Sequence, residues 1–132
     1  MNCPFCQIVS RQIPAHIIYE DDKFLAFLDH RPLTRGSTLV IPKKHYRWVD
    51  EVPEFGDYFE VAKKVGLAAK KVLGAIWINY LTIGHEVSHA HIRVIPRYPK
   101  DLHGPLPDLS KTEALPEQEM KSIALRLTEA IE

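Results

Sequence analysis

Apolar residues in the first third of the chain occur in short runs separated by polar turns, which is the pattern of β-strands. Residues 17–19 and 24–28 flank a polar turn and predict a β-hairpin whose second strand is mostly buried. Residues 29–37 predict a loop, and residues 38–41 predict a further strand that Pro42 ends.

The clearest helical pattern lies in the middle of the chain, between a predicted N-cap at Asp57 and Gly74. Its apolar residues recur at three- and four-residue spacing: Tyr58, Val61, Ala62, Val65, Ala68, Ala69 and Val72. The apolar run 75–83 predicts a central strand, and residues 89–95 predict another strand that Pro96 ends.

The last third of the chain changes character. Residues 96–115 have no periodicity and four prolines, which predicts a loop or a functional flap, and residues 116–131 predict a C-terminal helix. We therefore expect one domain over residues 1–132. Its fold class is α+β, an antiparallel sheet with one long and one C-terminal helix on one face.

Composition excludes several classes of protein. Seventeen basic residues balance 17 acidic ones in a chain of 132 residues, which opposes nucleic-acid wrapping and polybasic membrane attachment. No apolar stretch approaches the roughly 18 residues that span a bilayer. Residues 1–6 show neither a basic nor an apolar leader region, so we expect a cytoplasmic protein.

The residues with the most informative chemistry lie in the predicted strand 89–95. Because side chains alternate along a strand, His89, His91 and Arg93 share one face. Such a row suits a phosphate group, although a solvated strand face is the alternative.

The two cysteines, Cys3 and Cys6, are three residues apart. In a reducing compartment this spacing favours half of a metal site over a structural disulfide or a redox pair. His45, which follows the predicted strand 38–41, and His89, which begins the predicted strand 89–95, are candidate partners for a tetrahedral zinc site.

Several ordered motifs resemble the histidine triad (HIT) family of nucleotide hydrolases and transferases over nearly the whole chain. The similar segments are 3–9, 13–14, 19–21, 26–29, 36–45 and the block 84–97, which resembles the signature strand of the family.

The resemblance implies a catalytic site. His91 corresponds to the nucleophile, which attacks the α-phosphorus of a nucleotide and forms a covalent nucleotidyl-histidine that water then hydrolyses. The other catalytic candidates are His89, Arg93 and His85. In zinc-containing relatives the ligands correspond to Cys3, Cys6, His45 and His89, and the zinc is structural.

The same resemblance implies a nucleotide site and a homodimer. Asp29 corresponds to the carboxylate that receives the ribose hydroxyls, and Phe5, Ile8 and Phe27 correspond to the walls around the base. Asn79 falls where relatives contact phosphate. Ile8 and Phe27 equally suit a core position, and Asn79 equally suits a local hydrogen bond.

The sequence departs from the family pattern where the chemistry is most sensitive. The third histidine of the row is Arg93, and the usual glutamine after Gly84 is His85; Tyr80 and Ser37 are two further departures. Arginine binds phosphate but does not exchange a proton near neutral pH. Two alternatives to an enzyme therefore stay open: a nucleotide-binding regulatory module with little turnover, and a zinc-stabilised nucleic-acid-binding domain, which the zero net charge opposes.

Overall fold

A single antiparallel sheet organises the molecule, which is a computed structural model describing residues 3–131. The five strands are β1 (Ile17–Glu20), β2 (Phe24–Leu28), β3 (Thr38–Pro42), β4 (Trp77–Leu81) and β5 (Ile92–Arg97). Their spatial order is β1-β2-β3-β5-β4, and every neighbouring pair is antiparallel. The predicted α+β class and the β1–β2 hairpin are confirmed.

Three helices cover the sheet: α1 (Pro4–Val9), α2 (Phe55–Leu73) and α3 (Glu117–Ala130), with a short 3-10 turn at Val49–Glu51 before α2. The long helix ends at Gly74, whose φ of 75° lies in the left-handed region that glycine adopts without strain. Within the described residues, no helix has the length and apolar character that crossing a membrane requires.

The two faces of the sheet carry different cores. Alternate side chains of β2, β3 and β5, including Ala26, Val40 and Ile92, pack against α2 and α3 in the larger core. Leu25, Phe27, Leu39 and Ile41 point to the opposite face and pack with residues of α1. The functional side chains described below lie on this second face, where the sheet is only partly covered.

The short helix α1 was not predicted from the sequence. Pro4 occupies the first turn, and the Cys3 Sγ accepts a hydrogen bond from the backbone N–H of Cys6 at 3.3 Å. A thiol therefore caps this helix in place of the Ser, Thr, Asp or Asn that usually indicates a helix start.

Two strand predictions are wrong in detail. The predicted central strand 75–83 is the shorter edge strand β4, with Trp77 42% and Tyr80 46% exposed. Strand β5 begins at Ile92, not His89, because the Ala90 N–H donates to the carbonyl of Tyr46 instead of joining the ladder.

Strand β5 also continues through Pro96 instead of ending before it. Its register with β3 extends only to Val94, so Pro96 has a neighbouring strand on one side alone. A residue without an N–H is tolerated at such a position.

Candidate functional site

Four metal-ligating side chains meet where α1, the segment after β3 and the segment before β5 converge. The ligand atoms of Cys3, Cys6, His45 and His89 all lie within 4.8 Å of one another. The Cys3 Sγ lies 3.3 Å from His89 Nδ1, and the Cys6 Sγ lies 3.2 Å from His45 Nδ1. The structure thus brings together all four predicted metal ligands.

The ring of His89 is held in one orientation. Its Nε2 lies 2.8 Å from the carbonyl oxygen of Pro42, which only accepts, so Nε2 carries the proton and the Nδ1 lone pair faces the thiols. Burial lowers the pKa of His89 to about 4. The imidazole is therefore neutral at pH 7, as a metal ligand must be.

The thiols of Cys3 and Cys6 are the other two donors of this cluster. Burial, followed by the contact with Cys3, raises the pKa of the Cys6 thiol to about 11. A divalent cation at this position would reverse that preference, because a coordinating thiol loses its proton. Two sulfur and two imidazole donors whose ligand atoms lie within 4.8 Å of one another are a donor set that fits Zn²⁺.

His91 lies next to this cluster and is 3% exposed. Its Nδ1–H donates to the carbonyl oxygen of His89 at 2.8 Å, which leaves the lone pair on Nε2. Burial lowers the pKa of His91; the bond to His89 opposes this shift, and the nearby Arg93 guanidinium adds to it. His91 is therefore a neutral imidazole whose Nε2 has no hydrogen-bond partner among residues 3–131.

A carboxylate and a guanidinium form the polar end of the site. Arg93 Nη1 donates to Asp29 Oδ2 at 3.2 Å, and the backbone N–H of Arg31 donates to Asp29 Oδ1 at 3.0 Å. Glu86 approaches the same guanidinium at 3.9 Å. Asp29 is 7% exposed, so it is a buried acceptor whose charge is compensated by Arg93.

An apolar cleft of about 610 Å³ extends from this pair. Its walls include four of the residues predicted for nucleotide binding, together with Arg93: Phe5, Ile8, Phe27 and Asp29. The Phe5 ring packs edge-on against Phe27 at 5.6 Å and against His91 at 5.3 Å. The cleft therefore combines apolar walls with a carboxylate. His91 is not one of its lining residues, but it contacts the lining residue Phe5.

Two predicted site residues lie elsewhere in this structure. Asn79 pairs with Ile95 in the sheet register, and its Oδ1 accepts a hydrogen bond from Arg97 Nη1 at 2.9 Å. His85 is exposed on the loop before His89 and packs near Trp48, with 6.5 Å between ring centroids. Neither residue lines the cleft.

Arg97 anchors the proline-rich segment, a role that was not predicted from the sequence. This side chain is 1% exposed, and its guanidinium contacts Asp101 at 2.9 Å and the carbonyl of Gly104 at 2.6 Å. Two sequence features could have indicated this role: Arg97 shares a face of β5 with Arg93, and the acidic residue Asp101 follows four positions later. Arg97 holds the beginning of the proline-rich segment.

Glu86 and the segment 109–112 are also missed. Glu86 lies in a loop with no periodicity, and Leu109, Ser110 and Thr112 reach Asp29 and Arg93 only because the chain folds back. No local sequence pattern carries that information.

Comparison with known proteins agrees with this geometry. The HIT domain family model matches residues 10–100. An uncharacterized HIT-like protein of Methanocaldococcus jannaschii is 42% identical over 108 residues, covering 75% of this chain and 81% of that protein. The crystal structure of a Zn-bound histidine triad family protein from Mycobacterium smegmatis has a TM-score of 0.82 and 34% identity, covering 99% of this chain and 94% of that one.

A relative with a named activity is also similar. The adenylylsulfatase HINT3 of Arabidopsis thaliana is 36% identical over 108 residues, covering 76% of this chain and 54% of that protein. The fold and the site define a histidine triad protein. The chain belongs to the HIT domain family, which confirms the resemblance drawn from its motifs.

Proposed function

We propose that this protein is a HIT-type nucleotide hydrolase or nucleotidyltransferase that acts at the α-phosphate of nucleoside phosphoramidates, dinucleoside polyphosphates or related nucleotides. The observation that carries the proposal is the buried His91 ring, whose Nδ1–H donates to the His89 carbonyl and whose Nε2 has no partner in the part of the chain that the structure describes. The activity for which the Arabidopsis relative is named supports the same reaction class.

The cleft provides a place for the nucleoside. The base would pack between Phe5, Ile8 and Phe27, and the Asp29 carboxylate would accept hydrogen bonds from the ribose hydroxyls. The α-phosphate would then lie toward His91, which contacts Phe5, and beside the Arg93 guanidinium, which would neutralise the phosphate charge.

The chemistry follows from the state of His91. Nε2 attacks the α-phosphorus, the bond to the leaving group breaks, and a nucleotidyl-histidine forms. The bond from Nδ1–H to the His89 carbonyl stabilises the positive charge that develops on the ring. Water, or a second acceptor in a transferase, then takes the nucleotidyl group and restores neutral His91.

Zinc is proposed as a structural ion held by Cys3, Cys6, His45 and His89. When bound it would fix the backbone carbonyl of His89, which in turn orients His91. The crystal structure of the Zn-bound mycobacterial relative supports this assignment.

A homodimer is also proposed. Several apolar side chains are exposed on the edge strand β4, beside it and on α2; they are Leu67, Ile76, Trp77, Tyr80 and Ile83, each at least 42% exposed. A second copy of the chain would cover them. Molar mass in solution by light scattering tests this, with Trp77→Glu expected to give the monomer. We also expect the protein in the cytoplasm and acting on nucleotides without nucleic-acid partners.

The second candidate function is a nucleotide-binding module without turnover, and Arg93 is the observation that favours it. The test is the release of nucleoside monophosphate from adenosine and guanosine phosphoramidates and from diadenosine polyphosphates. We expect release by the parent protein and none by His91→Ala. Nucleotide binding without release in the parent would establish the binding module instead.

A further inference from the structure

The two cysteines of the chain lie close enough to react with each other. Cys3 and Cys6 span the first turn of α1, and both are free thiols. Their Sγ atoms lie within 4.8 Å of each other, and the Cys3 Sγ accepts the backbone N–H of Cys6 at 3.3 Å. Residues three apart along a helical turn have neighbouring side chains, at a spacing that a disulfide bridges. An S–S bond therefore needs a short movement of the two sulfur atoms toward each other.

The two thiols differ in their access to solvent. Cys3 is 7% exposed, whereas Cys6 is half-buried. A small oxidant such as a peroxide therefore meets Cys6 first, and Cys3 lies next to it as the resolving thiol. No other thiol of the chain competes for the oxidised sulfur, because the sequence contains two cysteines.

Both sulfur atoms also belong to the proposed zinc site. The Cys3 Sγ faces His89 Nδ1 at 3.3 Å, and the Cys6 Sγ faces His45 Nδ1 at 3.2 Å. The thiolate is the form of cysteine that binds a metal, and a disulfide has no thiolate. After oxidation only the two imidazoles remain, which is half of the four protein ligands that a structural zinc site requires. Oxidation of the pair therefore removes the metal site.

The nucleotide cleft is connected to this pair through one aromatic ring. Phe5 lies between the two cysteines in sequence and forms part of the wall of the cleft. Its ring centroid lies 5.9 Å from that of His89 and 5.3 Å from that of His91. Movement of both sulfur atoms shifts the turn that carries Phe5 and removes the thiol contacts of His89. The redox state of the pair is therefore coupled to the cleft.

We propose that Cys3 and Cys6 form a redox modification site, at which a peroxide converts the metal-binding thiol pair into an intramolecular disulfide. The disulfide releases the zinc and weakens nucleotide binding. The release of metal rests on the proposed zinc assignment, and the weaker binding rests on the proposed function. The disulfide itself rests on the positions of the two sulfur atoms.

The reaction balances with one peroxide per chain. The Cys6 thiolate attacks one peroxide oxygen, the O–O bond breaks and hydroxide leaves, which gives a sulfenic acid on Cys6. The Cys3 thiolate then attacks this sulfur, the S–O bond breaks and a second hydroxide leaves as the S–S bond forms. Over the two steps each sulfur loses one electron, and the two peroxide oxygens gain them. Two protons from the solvent convert the hydroxides to water.

The test treats the purified, zinc-loaded protein with an equimolar amount of hydrogen peroxide. Alkylation and peptide mass mapping count the free thiols, and a metal-sensitive dye measures the zinc in solution. We expect the two thiols to disappear, the peptide with Cys3 and Cys6 to lose two hydrogens, and about one zinc per chain to be released in parallel. Thiols that persist, or that become sulfinic acids or intermolecular disulfides instead, would overturn the inference.

Two variants separate the disulfide from the zinc assignment. His45→Ala removes one metal ligand and keeps both thiols, so we expect the same disulfide with less zinc released. Cys6→Ser keeps Cys3 alone and should show no loss of two hydrogens. A disulfide in a parent protein that holds no zinc would refute the zinc assignment and the release of metal, while the modification site itself would stand.

Calorimetry in the His91→Ala background measures the effect on the cleft without turnover. We expect oxidation to weaken the binding of AMP and GMP by roughly tenfold, and dithiothreitol with added zinc to restore it. Dithiothreitol reduces disulfides but not methionine sulfoxide, so restoration excludes oxidation of Met120 as the cause. Equal affinity before and after formation of the disulfide would refute the coupling to the cleft. If the reduced protein binds neither nucleotide, the proposed function fails, and the thiol count still decides the modification site.

Discussion

The Nδ1–H of His91 donates to the backbone carbonyl of His89 at 2.8 Å, while the side chain of His89 turns to the thiols of Cys3 and Cys6. One residue thus orients the nucleophile with its backbone and joins the metal-ligand cluster with its side chain. A disturbance of the cluster is therefore transmitted to His91 through a single peptide group.

The first prediction concerns zinc. We expect the purified protein to contain about one zinc per chain, and Cys3→Ser or Cys6→Ser to lose it, because each thiolate is one of four ligands. A ligand present at 1,000 times its Kd stabilises the native state by about 4 kcal/mol, so a strong chelator should lower Tm by several degrees. Full zinc content in both cysteine variants, measured by mass spectrometry of the metal, would contradict the assignment.

We predict that Asp29 recognises the ribose by accepting hydrogen bonds from its hydroxyls. Asp29→Asn keeps the shape but loses the charge that accepts hydrogen bonds and pairs with Arg93. We expect the parent to prefer ribonucleotides over 2′,3′-dideoxynucleotides by roughly tenfold or more in kcat/KM, and the variant to lose most of that preference. Equal discrimination by both proteins would place the ribose elsewhere. Asp22→Asn, in the exposed turn before β2, is the control.

Arg93→His restores a group that titrates near neutral pH. Because general acid catalysis contributes about 100-fold or more, we expect it to raise kcat/KM for adenosine phosphoramidate by roughly tenfold, while activity on a diadenosine polyphosphate, whose leaving group is an anion, falls. Arg93→Gln removes the cation without supplying an acid and should lower both activities. Phosphoramidate hydrolysis no faster in Arg93→His than in Arg93→Gln would show that this position does not limit proton transfer.

The ion pair of Asp101 with Arg97, which anchors the proline-rich segment, makes the stability of the protein depend on pH. Burial raises its pKa, but the Arg97 guanidinium and two backbone N–H groups outweigh burial and lower the pKa from 3.8 to about 2. Its side chain is 4% exposed. A lowered pKa stabilises the folded state above the unfolded value, and that stability is lost as the pH falls from about 4 to about 2. The contribution is about 2 kcal/mol at neutral pH.

Chemical denaturation at several pH values measures this contribution. We expect Asp101→Asn to have a lower free energy of unfolding than the parent at pH 7 and a smaller difference from it at pH 2. Asp22→Asn serves as the surface control here as well. A difference between Asp101→Asn and the parent that stays constant over this range would contradict the role of the ion pair.

How far the sequence predicts the structure depends on the range of the interactions. The hairpin of β1 and β2 and the long helix follow from local patterns. The four metal ligands follow from the spacing of Cys3 and Cys6 together with the resemblance to the family, because His45 and His89 lie far along the chain. The position of β4 at the exposed edge of the sheet cannot be predicted in this way, because an apolar run of residues is compatible with both a central strand and an edge strand. The α1 helix escapes prediction because its cap is a thiol.

The site shows the same division. Asp29, Phe5 and Phe27 reach the cleft as the motifs imply, whereas Asn79 is bonded to Arg97 through a contact that depends on the register of β4 against β5. The cavity that Asp29 and Arg93 share with Leu109, Ser110 and Thr112 forms only because the chain folds back, a long-range contact without a sequence signal.

The covalent intermediate on His91 is the central claim, and mass spectrometry of the quenched and digested protein measures it most directly. The protein is mixed with an ADP- or GDP-linked substrate, quenched within its first turnovers under alkaline conditions that preserve phosphoramidates, and digested for peptide mapping. We expect a mass increase of one nucleotidyl group on the peptide that contains His91, absent from His91→Ala. Nucleoside monophosphate release by the parent with no such adduct, or with undiminished release by His91→Ala, would contradict the mechanism.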